Sequence, residues 1–200
     1  MKRLKLFLLM FSALISSFVF AYEEAPINTT PVVEDPVRAI QSTIVKLNQL
    51  TTATTYSPQM MSFLVNQEIT PLFDFNHIAN EVLFTSRLTL GEEEAAYFSN
   101  TLKQNIISTL LEKLAQGRSS SLDFISARPM RGGNIIAVRL NARGYSRFGF
   151  NVDLSFHRGI SGKWQVFDVA LGHDSLINYY QKMVLIKVRR YGIYGMLGRI

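Results

Sequence analysis

The chain has 200 residues, 48% of them hydrophobic, with 14 Phe, eight Tyr and seven Met, and a formal charge of +6. It contains no Cys, which excludes disulfide staples and a thiolate metal centre, so stability has to come from a packed apolar core. Part of the charge is concentrated at the extreme N-terminus. Without Lys2, Arg3 and Lys5 the 21 basic residues become 18 against 15 acids, a net +3 that gives no footing for a nucleic-acid partner.

Lys2, Arg3 and Lys5 form a basic start, Leu6 to Phe20 is an almost unbroken apolar stretch, and Val19-Phe20-Ala21 ends in small-residue cleavage style. Residues 1–21 therefore read as a signal peptide, cut ahead of Tyr22. The stretch is shorter than the about 20 apolar residues that span a bilayer and is interrupted by Ser12, Ser16 and Ser17. Residues 22–34, with Pro26, Pro31, Thr29 and Thr30 and no hydrophobic period, read as a flexible tether, and 35–200 as the folded domain.

Asp35-Pro36 predicts a helix start, with Val37, Ile40, Ile44 and Leu47 on one face, and Ser57-Pro58 repeats the device for a helix carrying Met61, Leu64 and Val65 that stops before Pro71. Asp74 is placed to cap a short helix with Phe75, Ile78, Ala79 and Val82. A long helix follows, marked by Glu92, Glu93 and Glu94 at its start, Lys113 in its last turn and Gly117 beyond it. Its stripe of Phe98, Leu102, Ile106, Leu110 and Leu114 advances by four.

The period then changes to two. Residues 122–130, 134–141, 147–157 and 163–171 predict four strands, separated by turns at Gly132-Gly133, Arg143-Gly144 and Ser161-Gly162, and such short connections make neighbours antiparallel. In the third strand Phe148, Phe150, Val152, Leu154 and Phe156 share one face. A helix over 175–191 with a stop at Gly192, and a short one over 194–200, end the chain. The result is an α+β fold: a four-stranded antiparallel curved sheet packed against several helices in a single domain.

Chemistry is sparse. His77, His157 and His173 are the imidazoles present, so no metal site is expected. His173-Asp174-Ser175 contains the residue types of a hydrolase triad, but consecutive side chains diverge and a helix cap is the better reading. G-x-S-x-G, G-x-G-x-x-G and P-loop patterns do not occur. Lys187, Arg189, Arg190 and Arg199 form a basic C-terminal cluster. Its ordinary reading is charge at a helix end, and its alternative is contact with phosphate head groups or a membrane surface.

Pro71-Leu72-Phe73-Asp74-Phe75-Asn76-His77-Ile78-Ala79-Asn80-Glu81-Val82-Leu83 and Gly162-Lys163-Trp164-Gln165-Val166-Phe167-Asp168-Val169 resemble the MlaC family of periplasmic phospholipid shuttles, also called toluene-tolerance auxiliary proteins. Ser175-Leu176-Ile177-Asn178-Tyr179-Tyr180 and Tyr191-Gly192-Ile193-Tyr194-Gly195-Met196-Leu197 continue the likeness in order. Phe84, His173-Asp174 and Tyr180 depart from the family pattern, and a tryptophan before Arg87 is missing, which marks a divergent member.

The resemblance implies an NTF2-like fold with an internal apolar pocket, periplasmic residence and carriage of phospholipid without catalysis or cofactor. It also implies two partners, an outer-membrane lipoprotein complex and an inner-membrane ABC transporter with its MCE-domain protein. The carrier is expected to be a monomer, and its task to maintain outer-membrane lipid asymmetry. The tails are expected between sheet and helices, against Phe148, Phe150, Val152 and Leu154 of the third strand and Ile136, Val138 and Leu140 of the second. Phe75, Ile78, Val82, Leu102 and Ile106 supply the helical wall. The alternative is a small periplasmic enzyme on the same scaffold, using Asp153 or Asp168 with His157 for proton transfer on an apolar substrate.

Overall fold

The computed structural model describes residues 34–52, 57–115, 121–143, 150–172 and 174–200; the signal peptide expected over 1–21 and the tether up to residue 33 lie outside the described residues. Five α-helices are described, α1 (Pro36–Thr52), α2 (Pro58–Leu64), α3 (Phe75–Ser86), α4 (Glu92–Ala115) and α5 (Leu176–Leu197). The strands are β1 (Ser121–Met130), β2 (Ile135–Arg143), β3 (Phe150–Arg158), β4 (Trp164–Leu171) and the two-residue β5 (Asp174–Ser175). They form one antiparallel sheet in the order β1-β2-β3-β4-β5, so the four expected strands are joined by a short fifth.

The helix starts form where cap chemistry places them. Asp35 Oδ1 accepts from Val37 N at 3.1 Å, Ser57 Oγ from Met60 N at 3.3 Å and Asp74 Oδ1 from His77 N at 2.9 Å, each satisfying an amide the first turn leaves free. Glu94 reaches back to Gly91 N at 2.9 Å to close the start of α4. α2 does not stop cleanly before Pro71. It widens into a π turn at Val65–Ile69 and tightens into a 3₁₀ turn at Thr70–Leu72. The Thr70 hydroxyl donates to the Val65 carbonyl five residues back at 3.1 Å, supporting the wide turn.

Register sorts the sheet. Val138, Leu140 and Ala142 of β2 stand opposite Leu154, Val152 and Phe150 of β3, so their inner faces coincide. Phe156 is paired with Val166 and Ser155 with Asp168, which leaves Phe167 as the extra residue of a bulge. Val166, Trp164 and Val169 therefore join the sheet cluster beside Ala39 and Ile40 of α1, while Phe167 packs on the helical cluster of α3, α4 and α5. β4 thus serves two cores. A third cluster, Leu50, Val65 and Ile69, lies between α1 and the π turn.

Two edges are managed differently. The outer edge of β4 is covered by β5 and by a parallel bridge from Phe73 to Val166. β1, at the other end of the strand order, is bulged between Phe124 and Ser126 and carries Pro129. At Gly192 (φ 71°, ψ −178°) α5 is kinked, so the two final helices expected from the sequence are one element broken at the glycine foreseen as a stop. No described helix is long and apolar enough to cross a membrane.

Candidate functional site

The three apolar clusters meet at Phe73. Its position is set from both sides: the 3₁₀ turn delivers it to β4, where Asp74 N donates to the Val166 carbonyl at 3.0 Å, and Asp74 then caps α3. Phe73, half-buried, packs against all three clusters, and its ring stacks on Phe75 with centroids 5.6 Å apart. Leu47 bridges the sheet cluster and the third cluster, and Ile107 bridges the helical cluster and the third. A continuous apolar seam therefore runs between the sheet, α1 and α4.

The residues expected to line a pocket fall on both sides of this seam. Phe75, Ile78, Val82, Leu102 and Ile106 are buried together in the helical cluster. Val138, Leu140, Val152 and Leu154 are buried in the sheet cluster, with Ile136 partly buried against it. Phe150 is 37% exposed at the start of β3, and Phe148 lies outside the described residues. Leu110 and Leu114 complete the stripe of α4 in sequence, but their side chains also lie outside the described residues. Phe73 itself is absent from the sequence-derived lining. The signal was present, since an apolar residue just ahead of the cap Asp74 occupies the position of a hydrophobic staple.

The space that opens beside Phe73 is polar. A cleft of about 430 Å³ is bordered by Phe73 and Phe75 at its apolar side and by Thr70, Asp74, Asn76, Ser99, Asn100, Lys103 and Gln165 elsewhere. Ser99 donates to Asn76 across it at 2.8 Å. Water and a head group suit this lining; hydrocarbon does not.

The pairings expected of an enzyme are not brought together. Asp153 and His157 share a strand face, but four residues of strand separate them by about 13 Å. Asp153 is instead held by Arg139, whose Nε and Nη2 donate at 2.7 and 2.9 Å and keep its carboxyl below the usual carboxylate range. Asp168 is consumed by structure. It accepts from the Ser175 hydroxyl at 2.7 Å and from Val169 N and Ile177 N at 3.0 and 3.1 Å, fixing the start of α5.

His157 faces a third acid. Its Nε2 lies 3.1 Å from Asp74 Oδ2, an ion-pair distance, yet off the line a hydrogen bond needs, so the buried nitrogen has no hydrogen-bond partner among the described residues. Its ring stacks on His77 at 4.0 Å, with Phe167 edge-on to both. Burial, and next the neighbouring His77, push the His157 imidazole below its usual pKa against the pull of Asp74. A neutral, stacked imidazole wedged between β3 and α3 is a packing element. Among the described residues no group of His, Asp and Glu is arranged to hold a metal ion.

The apolar seam with a polar cleft at its side, and the commitment of Asp74, Asp153 and Asp168 to caps and ion pairs, suit the holding of an apolar ligand. The model of the MlaC family, described as MlaC protein, matches residues 37–200, and the chain belongs to that family. Among solved structures, a phospholipid-binding protein from Ralstonia solanacearum in complex with a phospholipid aligns with a TM-score of 0.63 at 19% identity, over 81% of this chain and 90% of that one. At that identity the likeness establishes the shared fold. No curated protein matches.

Proposed function

We propose that the chain is a monomeric periplasmic carrier which shields phospholipid acyl chains and moves lipid between an outer-membrane lipoprotein complex and an inner-membrane ABC transporter with its MCE-domain protein, maintaining outer-membrane asymmetry. Residues 1–21 direct export and are removed, and 22–34 tether the domain. The observation that carries this reading is the seam at Phe73, where three apolar clusters adjoin in a fold shared with a phospholipid-binding protein solved in complex with a phospholipid.

The energetics favour such a carrier. Each CH₂ hidden from water is worth about 0.8 kcal/mol, so one chain of roughly 16 carbons costs on the order of 13 kcal/mol to expose in transit. Drawing that chain from a bilayer into an apolar seam exchanges one hydrocarbon setting for another. The small net change permits both loading and unloading. Acyl chains enter by parting the helical wall of Phe75, Ile78, Val82, Leu102 and Ile106 from the sheet wall of Ile136, Val138, Leu140, Val152 and Leu154, with Phe150 at the start of β3 and Phe148 preceding it in sequence. The head group stays at the polar cleft or in water, sparing the interior an unpaired phosphate.

Protein purified from a bacterial periplasm should release phospholipid into organic extract, detected by mass spectrometry. A lipid-free preparation that also takes no lipid from liposomes overturns the reading.

A further inference from the structure

The charge of this chain is segregated. Residues 176–200 contain Lys182, Lys187, Arg189, Arg190 and Arg199 and not one Asp or Glu, whereas residues 22–175 hold 13 Lys and Arg against 15 Asp and Glu. The excess positive charge of the domain therefore belongs to α5 and its end. Among the described residues none of these five cations pairs with a carboxylate.

Helical spacing gathers the exposed ones. Tyr179, Lys182 and Ile186 follow at intervals of three and four, and Arg189 and Arg190 stand three and four residues beyond Ile186, all on the side opposite the buried Ile177, Tyr180 and Val184. Tyr179 is 62% and Ile186 63% exposed, an arrangement that core packing does not require. Beyond the Gly192 kink, Tyr194 is 80% exposed, and the guanidiniums of Arg190 and Arg199 lie 5.6 and 4.5 Å from the Tyr191 ring. The stripe from Tyr179 to Arg190 is about 16 Å long.

We infer that this outward face of α5 is a docking surface for an anionic phospholipid bilayer. The composition selects a membrane over an acidic protein. Tyr and Ile interleaved with Lys and Arg match an interface at which phosphates lie beside the first acyl carbons, where amphipathic rings settle and long basic side chains reach up to the head groups. A helix-end charge serving only the macrodipole falls in the last turn. Lys182 stands two turns into α5, and Ile186 has no such role. The surface faces away from the helical cluster that α5 helps to build, so docking and acyl-chain uptake are separable events.

The test is co-sedimentation of the periplasm-purified chain with large vesicles of phosphatidylcholine, with or without a quarter phosphatidylglycerol. The chain should pellet with the anionic vesicles at about 0.02 M salt and detach near 0.5 M. Arg189→Glu with Arg190→Glu should lower vesicle partition by roughly tenfold or more, since each cation near such a surface contributes about fivefold. Tyr179→Ser with Ile186→Ser should weaken it without changing charge. Arg128→Glu with Arg158→Glu, an equal charge change at exposed sites on β1 and β3, should weaken partition clearly less than the α5 pair does, because only charges close to the bilayer escape screening.

Failure to pellet at low salt overturns the inference, and an acidic protein partner then becomes the better occupant. Equal weakening by the β1 and β3 pair also overturns it, because total charge and not this face would govern. Lipid uptake is read separately, from organic extraction of unbound protein, so loss of docking with retained uptake leaves the carrier reading intact.

Discussion

Ser175 uses one hydroxyl in two directions: it donates to Asp168 Oδ2 at 2.7 Å and accepts from Asn178 N at 3.2 Å, so the last long strand and the first turn of α5 are fastened through a single oxygen. Asp168 adds a bond from Ile177 N at 3.1 Å. Ser175→Ala should lower the unfolding free energy by about 1–2 kcal/mol, and Asp168→Ala by about 2–3 kcal/mol, because it strands more donors. Urea denaturation of the two variants checks the order.

His157 makes stability depend on pH in a defined direction. Its folded pKa lies below the unfolded value of 6.5, so the unfolded chain binds the extra proton first as the solution is acidified. The neutral ring's contribution is complete above about pH 6.5 and is lost as pH falls toward the folded pKa. The stability of the natural chain should thus drop more steeply between about pH 7.5 and about pH 5 than that of His157→Gln, which cannot titrate there. Urea midpoints at the two pH values measure the difference; parallel losses in both proteins would remove His157 as the cause.

Gly195 has a steric reason. A Cβ at this position would lie 2.6 Å from the Tyr191 Cβ, and the ring of Tyr191 is itself pinned beneath two guanidiniums. Gly195→Ala should therefore cost about 1–3 kcal/mol, despite alanine's better helix propensity. Thermal melting followed by circular dichroism decides it.

Phe73→Ala tests the seam. Removal of a half-buried ring shared by three clusters should lower the stability of lipid-free protein by about 2–3 kcal/mol. It should also leave less phospholipid in the purified protein, measured as lipid per chain by mass spectrometry of the organic extract. Unchanged lipid content in a destabilised variant would place the acyl chains elsewhere.

Local rules made much of this fold readable. Asp35, Ser57 and Asp74 announced three helices because cap chemistry is decided within four residues, and the alternation of Val152, Leu154 and Phe156 with polar neighbours is fixed by strand geometry alone. Three features were not readable. The bulge at Phe167 depends on how β4 registers with β3, the π turn depends on Thr70 meeting the Val65 carbonyl, and β5 exists only because Asp174 and Ser175 come back beside Leu171 and Ala170.

The site was legible by residue type and less so by grouping. Periodicity identified Leu102, Ile106, Leu140 and Leu154 as inward-facing, but every apolar position on an inner face looks alike in sequence. Their division between the helical and sheet clusters is set by β4 passing between them, a tertiary fact. His157 showed the same limit. Its strand face could be assigned, while Asp74, His77 and Phe167 come to it from other elements.

The bulge beside Phe124 and the proline at position 129 bear on how this protein behaves when crowded. A free strand margin is an invitation for a neighbouring molecule to extend the sheet; on β1 Asn48 occupies part of that margin, accepting from Leu122 N at 2.7 Å and donating to its carbonyl at 2.9 Å, while Phe73 and β5 close the opposite one. Because the run of outward amides on β1 is interrupted by the bulge and again by a residue with no N–H, only short uninterrupted lengths remain for a stranger to pair with. The molecule can therefore keep apolar side chains such as Phe124 and Ile125 in view of solvent and still resist growing into stacked fibres.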